Sequence, residues 1–238
     1  MLKALLTDID GTITDPSRRI NTGAITAIRS LVDSGVEVIL ASGNTSCFMD
    51  ALCKMIGTRG TFIAENGGVF RIGFSGTLHI SGDVTLAKNG IRILEDHLRN
   101  SGSALDLYNP DYRFSDRAFA RTIPAEQVRD ILSGYPVEVI DTGYAIHLQQ
   151  KGISKGTALT ALAAELKMNL SEVMAIGDSV NDIPMLERAG VGVAVANAHP
   201  DTKKAAAYVT GKEYGDGFVE AVEKYRPYFR AMKRSTTI

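Results

Sequence analysis

Short, almost continuous apolar runs recur along the chain, and each ends in a cluster of small or acidic residues. Ala4-Leu5-Leu6 leads into Asp8-Ile9-Asp10-Gly11-Thr12, Val36-Glu37-Val38-Ile39-Leu40-Ala41 into Ser42-Gly43-Asn44, and Val173-Met174-Ala175-Ile176 into Gly177-Asp178-Ser179-Val180-Asn181-Asp182. Runs without alternation predict strands buried on both faces, as in parallel sheets covered by helices. Helical spacing fills the gaps. Ala24, Ile25, Ala27, Ile28, Leu31 and Val32 mark one helix, with Asn21 or Thr22 as its cap and Gly35 as its stop. Ala158, Leu159, Ala161, Leu162 and Leu166 mark a second helix. Strand, helix, strand in close succession predicts right-handed parallel crossovers, hence an α/β fold with a doubly wound, Rossmann-like parallel-sheet core. The alternation resumes after Asp182, with Met185 and Leu186 on a helix, strands at Val191–Val195 and Tyr208-Val209, and a last helix from Gly217 to about Lys233 docked through Phe218, Val222 and Tyr225.

Between about Gly82 and Gln150 the texture changes, with a helix-like run from Ile91 to Leu98 and strand-like runs at Phe114–Arg121 and Val137–Leu148. This predicts an inserted α+β cap domain at residues 82–150, with residues 1–81 and 151–238 forming the core. Arg113, Arg117 and Arg121 fall at even spacings on or beside one cap strand. They form either a single basic face that reads a carboxylate or, as the favoured reading, the solvent side of the cap sheet. Glu65-Asn66-Gly67-Gly68, just before the insertion, reads as a structural turn.

At 238 residues the chain is long enough for one large core and a smaller unit. A hydrophobic content of 45% and a formal net charge of −1 give no sign of disorder, a nucleic-acid footprint or attraction to acidic membranes. The first apolar run is too short for a signal peptide or a membrane span, so a cytoplasmic location is the expectation. Cys47 and Cys53 lie on a helical segment, Thr45 through Met55, and read as buried packing residues rather than a disulfide or metal pair.

The polar clusters at the strand ends carry the candidate chemistry. Asp8 and Asp10 are two residues apart on extended chain and face one side, while Gly11 lets the backbone turn close to a ligand. One aspartate could attack and the other move a proton, although Asp-x-Asp-Gly also opens calcium loops and ordinary turns. Ser42 beside free backbone N–H groups suits phosphate oxygens or a plain Ser-Gly turn. Lys155, in Gly152-Ile153-Ser154-Lys155-Gly156, stands near a helix N-terminus, an electropositive spot for an anion, although a solvated lysine is the commoner role. Asp178 and Asp182 are one helical turn apart. Four carboxylates gathered outside buried strands repel one another unless a cation neutralises them, and oxygen ligands without histidine or cysteine favour a hard divalent ion, magnesium most simply.

Together these four segments resemble, in order, the four motifs of the haloacid dehalogenase (HAD) superfamily phosphatases, with a cap of the family's second type between the Ser42 and Lys155 motifs. The resemblance implies a HAD-like core and a magnesium-dependent phosphomonoester hydrolase working through an aspartyl-phosphate. Asp8 would be nucleophile and metal ligand, and Asp10 general acid/base and, through its carbonyl, a metal ligand. Asp178 and Asp182 would complete the Mg2+ site, and Ser42, Gly43, Asn44, Lys155 and Asn181 would hold the phosphoryl group. The short cap and the Ser-Gly-Asn form of the second motif are similar to archaeal-type phosphoglycolate phosphatases, which implies 2-phosphoglycolate as substrate. A sugar-phosphate phosphatase, a phosphomutase or phosphotransferase using the same intermediate, and a non-catalytic binding module are the alternatives. The expected partner is a small-molecule phosphate ester, with neither nucleic acid nor membrane, and a homodimer is left open.

Overall fold

The computed structural model describes residues 1–99 and 104–232. Its large sheet is built from β1 (Ala4–Asp8), β2 (Glu37–Ala41), β3 (Phe62–Ala64), β4 (Val69–Arg71), β5 (His79–Ile80), β9 (Val173–Gly177), β10 (Val191–Ala194) and β11 (Tyr208–Val209), in the order β11-β10-β9-β1-β2-β3-β4-β5. The pairings from β11 through β3 are parallel, whereas β4 and β5 add an antiparallel edge. β1 lies at the middle, paired with β2 (Leu6↔Ile39) and with β9 (Leu6↔Ala175). Every residue of β1, β2 and β9 is buried, which is why their sequences are apolar runs instead of alternating ones.

Helices cover both faces, and each face has its own core. On one side Leu5, Val38, Leu40 and Met174 pack against α1 (Thr22–Asp33), α2 (Ser46–Ile56) and α8 (Tyr214–Tyr225) through Ile28, Leu31, Met49, Phe218 and Val222. On the other, Leu6, Ile39 and Ala175 meet α5 (Lys155–Glu165) and α6 (Ile183–Arg188) through Leu159, Leu162, Met185 and Leu186. Asn21 caps α1 by accepting a hydrogen bond from the Ala24 N–H. α7 (Pro200–Ala205) links β10 to β11. The last helix is shorter than its periodicity suggested: α8 ends at Tyr225, a 3-10 turn follows at Arg226–Tyr228, and Lys233 lies outside the described residues. Proline at 227 removes an N–H that a continuing α-helix would use. Cys53 is buried as expected, but Cys47 is exposed, because it lies on the outward face of α2.

After β5 the chain leaves the large sheet and forms a three-stranded antiparallel sheet, β6 (Arg117–Ala120), β7 (Val137–Asp141) and β8 (Ala145–Gln150), in the order β6-β8-β7. The single strand-like run at 137–148 is a hairpin, turning at Thr142-Gly143-Tyr144, where Gly143 takes φ +81. α3 (Val84–Leu98) and α4 (Ala125–Ile131) cover one face, enclosing Leu94, Phe119, Val128, Ile146 and Leu148. α4 was not legible as a helix because its seven residues are too few to show a period. His147 pairs across the sheet with Ala118 and Ile140, on the face opposite that apolar layer.

The expected arginine face does not form. Arg113 and Arg117 are buried, at 6% and 7% exposure, and Arg113 precedes β6 altogether. Arg121 alone is a surface residue, paired with Asp141. Buried backbone carbonyls and Asp116 draw the first two guanidinium groups inward.

Candidate active site

Parallel strands place their C-terminal ends at one edge of the sheet, and the loops that leave those ends gather the polar clusters noted in the sequence. Asp8 closes β1, Ser42 follows β2, and Asp178 follows β9. Lys155 opens α5, whose N-cap Ser154 forms a reciprocal capping box with Thr157. The lysine is 1% exposed, and its Nζ donates to Asp8 Oδ1 at 2.5 Å and to Asp182 Oδ1 at 2.6 Å. It is therefore a buried ion-pair centre and not a solvated side chain. Burial alone would lower its pKa, but Asp182 and Asp8 outweigh burial and raise it, so the ammonium form is held.

Asp182 serves two structures at once. Its Oδ2 accepts the N–H groups of Asp178 and Ser179, each at 3.0 Å, which fixes the 3-10 turn Val180–Asp182, while Oδ1 meets the lysine. Asp178 accepts a hydrogen bond from the Thr12 hydroxyl at 3.1 Å. Gly11 makes room for it: the residue holds φ +91, and a Cβ there would run into the Asp178 carboxylate. Carboxylate oxygens of Asp8, Asp178 and Asp182 lie within 4.8 Å of one another. Burial, then Asp182, push Asp178 up to about 7, and burial with the two neighbouring carboxylates raises Asp8 well above the ordinary range despite Lys155. Three carboxylates against one ammonium leave an excess of buried negative charge, and an oxygen-only donor set of this kind fits a hard divalent cation.

The Asp10 carboxylate points elsewhere. Its Oδ1 accepts from Arg18 Nε at 3.0 Å, and its Oδ2 from Asn44 Nδ2 at 3.4 Å. Asn44 also donates to Ser42 Oγ at 2.9 Å, so it spans the second motif and Asp10. Arg18 lies over the Tyr144 ring at 4.4 Å, which joins the loop after β1 to the β7–β8 turn. Asn181 lines the same pocket, yet its amide nitrogen donates to Asn66 Oδ1 at 3.0 Å.

Glu65-Asn66-Gly67-Gly68 does more than turn the chain. Glu65, Asn66 and Gly67 all take positive φ, at +49, +53 and +104, a costly run for two non-glycine residues. What holds it is a ring of bonds. The Asn66 N–H donates to the Ser42 carbonyl, and the Glu65 carbonyl accepts from Gln149 Nε2 at 2.7 Å. The buried Glu65 carboxylate accepts the N–H groups of Phe114, Ser115 and Asp116 at 2.8–3.2 Å. Gly67 sits against the Ser154 carbonyl, where a Cβ would not fit.

These elements enclose a pocket of about 270 Å³, lined from the large sheet by residues including Asp8, Asp10, Ser42 and Lys155, and from the smaller one by residues including Tyr108, Arg113, Tyr144 and His147. Every expected site residue except Asp182 lines it, and Asp182 sits behind Lys155. Arg18, Asp116 and His147 were not singled out by the sequence. His147 had a faint signal, since His147 and Gln149 alternate with Ile146 and Leu148 on β8 and so share the face without helices.

Comparison with known proteins agrees with this arrangement. A family model described as haloacid dehalogenase-like hydrolase matches residues 5–118 and 120–222. A protein of Methanoculleus marisnigri named phosphoglycolate phosphatase is 60% identical over 230 residues, covering 96% of this chain and 98% of that protein. One of the same name from Methanospirillum hungatei is 47% identical, covering 97% and 100%. Among solved structures, a Thermoplasma acidophilum protein superposes with a TM-score of 0.85 at 25% identity, covering 95% of this chain and 99% of that one. With its four motifs gathered at one edge of a parallel-dominated sheet and a family model spanning most of its length, the chain belongs to the haloacid dehalogenase-like hydrolases.

Proposed function

We propose that the protein is a magnesium-dependent phosphatase that hydrolyses a small phosphate monoester, 2-phosphoglycolate, through an aspartyl-phosphate on Asp8. The observation that carries the reading is the buried grouping of Asp8, Lys155, Asp178 and Asp182 at the pocket floor. The substrate is suggested by the names of relatives at 60% and 47% identity. Residues 82–150 act as a cap over a core made of 1–81 and 151–238.

Asp8, Asp178 and Asp182, together with the Asp10 carbonyl that the family resemblance implies, would hold the ion. When bound, magnesium offsets the negative charge shared by phosphate and carboxylates. Lys155 fixes Asp8 through Oδ1, and Oδ2 makes no hydrogen bond among the described residues, so Oδ2 is the attacking atom. Ser42 and the backbone N–H groups beside it orient the phosphoryl oxygens, with Lys155 supplying positive charge. As the Asp8–phosphorus bond forms and the phosphorus–alkoxide bond breaks, Asp10 gives its proton to the alkoxide. It then takes a proton from water as that water attacks phosphorus, which releases inorganic phosphate and restores Asp8. Asn44 and Arg18 hold Asp10 in position for both transfers.

The test is release of inorganic phosphate from a panel of esters, phosphoglycolate and sugar phosphates included, with and without magnesium and with Asp8→Asn as control. Magnesium-dependent release highest for phosphoglycolate and abolished in Asp8→Asn is expected. Full activity in Asp8→Asn would overturn the mechanism, and a sugar phosphate turned over in preference would overturn the substrate.

A further inference from the structure

The side of the pocket formed by the smaller sheet and the segment before it carries a buried cluster, Asp116 with Arg113 and His147, that the chemistry above does not use. Asp116 is fully buried and accepts two hydrogen bonds, from Arg113 Nη1 to Oδ1 at 2.7 Å and from His147 Nδ1 to Oδ2 at 2.7 Å. Arg113 has two further bonds, from Nε to the Tyr108 carbonyl at 2.9 Å and from Nη1 to the Gly43 carbonyl at 3.1 Å. The Arg113 and His147 side chains are both more than nine-tenths buried and both line the pocket. Arg113 Nη2 and His147 Nε2 make no hydrogen bond among the described residues, and neither is sealed from solvent.

Burial of this kind is costly unless a function keeps it, because a guanidinium so desolvated needs its donors matched. Asp116 matches one prong of each partner and leaves one prong of each unmatched. With Nδ1 engaged on Asp116, Nε2 is the ring nitrogen left for a ligand.

The cluster is held against the loop that follows β2. Arg113 bonds the carbonyl of Gly43, and a Cβ added at Gly43 would lie 3.1 Å from His147 Cε1. Gly43 is the neighbour of Ser42, which in the proposed mechanism orients the phosphoryl group. The Arg113–His147 pair thus borders the residue next to the one that orients the phosphoryl group.

We infer that Arg113 Nη2 and His147 Nε2, positioned by Asp116, bind the carboxylate of a short phosphorylated acid whose phosphate lies on Asp8 and Lys155. The inference deepens the phosphatase reading by naming the residues that select the leaving group, and it rests on that reading for where the phosphate sits. Arg18 is the competing cation in the pocket, but it is engaged with Asp10 and stacked on Tyr144, and its side chain is 49% exposed.

The experiment is calorimetric binding, with magnesium present, of 3-phosphonopropionate and of propylphosphonate, which differ by a carboxylate against a methyl group. The intact protein is expected to favour the carboxylate ligand at least tenfold, and His147→Gln and Arg113→Lys each to reduce that ratio about tenfold, since charge-assisted hydrogen bonds are the strong ones. Melting curves establish that each variant is folded, and His147→Gln, which keeps a polar side chain of similar reach, answers the question if Arg113→Lys is not. No preference in the intact protein, an unchanged ratio in His147→Gln, or loss of the preference in Arg18→Gln alone would each overturn the inference. Selective binding of 3-phosphonopropionate without phosphate release from any ester would remove the hydrolytic reading and leave the carboxylate site standing.

Discussion

Lys155 donates to Asp8 and Asp182 from a position that water barely reaches, so a single ammonium ties the first motif to the fourth. Its replacement leaves three carboxylates facing one another with no counter-charge. Lys155→Met is expected to lower stability by about 3–5 kcal/mol, the usual cost of breaking a buried pair from one side. Urea unfolding at neutral pH measures it, and a loss below about 1 kcal/mol would mean that the carboxylates are already neutral in the folded state.

On the proposed reading, the same excess charge makes a bound divalent ion a structural ligand as well as a chemical one. Magnesium is expected to raise the melting temperature in proportion to the logarithm of its concentration above the dissociation constant, and chelation to reverse the rise. Asp178→Asn removes one of the three clustered carboxylates and should move the titration to higher magnesium. A melting temperature indifferent to magnesium would contradict the assignment of the cluster.

Gly11 and Asp178 are coupled sterically. At Gly11→Ala a methyl group meets the Asp178 carboxylate on a backbone at φ +91, so the aspartate must move or the turn must change. The strain is expected to cost about 1–2 kcal/mol. The diagnostic result is a fall in magnesium affinity larger than the fall in stability would explain, read by calorimetry against thermal melts.

Glu65 supplies a pH signature outside the Asp8–Asp178–Asp182 cluster. Burial and then the charge of Asp116 push its carboxyl up to about 7, against the pull of the three backbone N–H groups. A group whose folded pKa is raised stabilises the protein fully below its unfolded value and loses that contribution as pH rises through the folded value. Wild-type protein is therefore expected to lose stability relative to Glu65→Gln between about pH 4.5 and 7, by up to about 3 kcal/mol at ~1.4 kcal/mol per unit. Denaturant unfolding of both proteins across that window checks it, and parallel curves would contradict it.

What the sequence disclosed follows from how local the causes are. Asp8, Ser42 and Asp178 stand at the ends of apolar runs, and a strand ending in a polar turn is written in adjacent residues. Their gathering needs only the rule that parallel strands share one C-terminal edge. Asp182 and Lys155 were legible as members of the set through the family resemblance, which also implied that Asp182 steadies the lysine; their direct bond joins α5 to the turn after β9. His147 escaped for the same reason at greater range, since its partner Asp116 and its neighbour Gly43 lie on separate segments, and so did the contact of Arg113 with Gly43. Even spacing made three arginines look alike, but only where the backbone is already a strand does spacing decide which way a side chain faces. Arg113 precedes β6, and its burial is set by carbonyls and Asp116 instead.

The central place of β1 also bears on how the molecule folds. One edge of β1 pairs with β2 within the first 41 residues, but the other waits for β9, at 173–177, with the whole small sheet intervening in the chain. Non-local pairing of that span slows folding, because loop closure precedes the contacts that reward it. During synthesis the N-terminal half therefore carries an apolar strand with an open edge until residues beyond 173 leave the ribosome. Asp8 is among the first residues made, but its surroundings are complete only once β9 and the turn that carries Asp178 and Asp182 have been made.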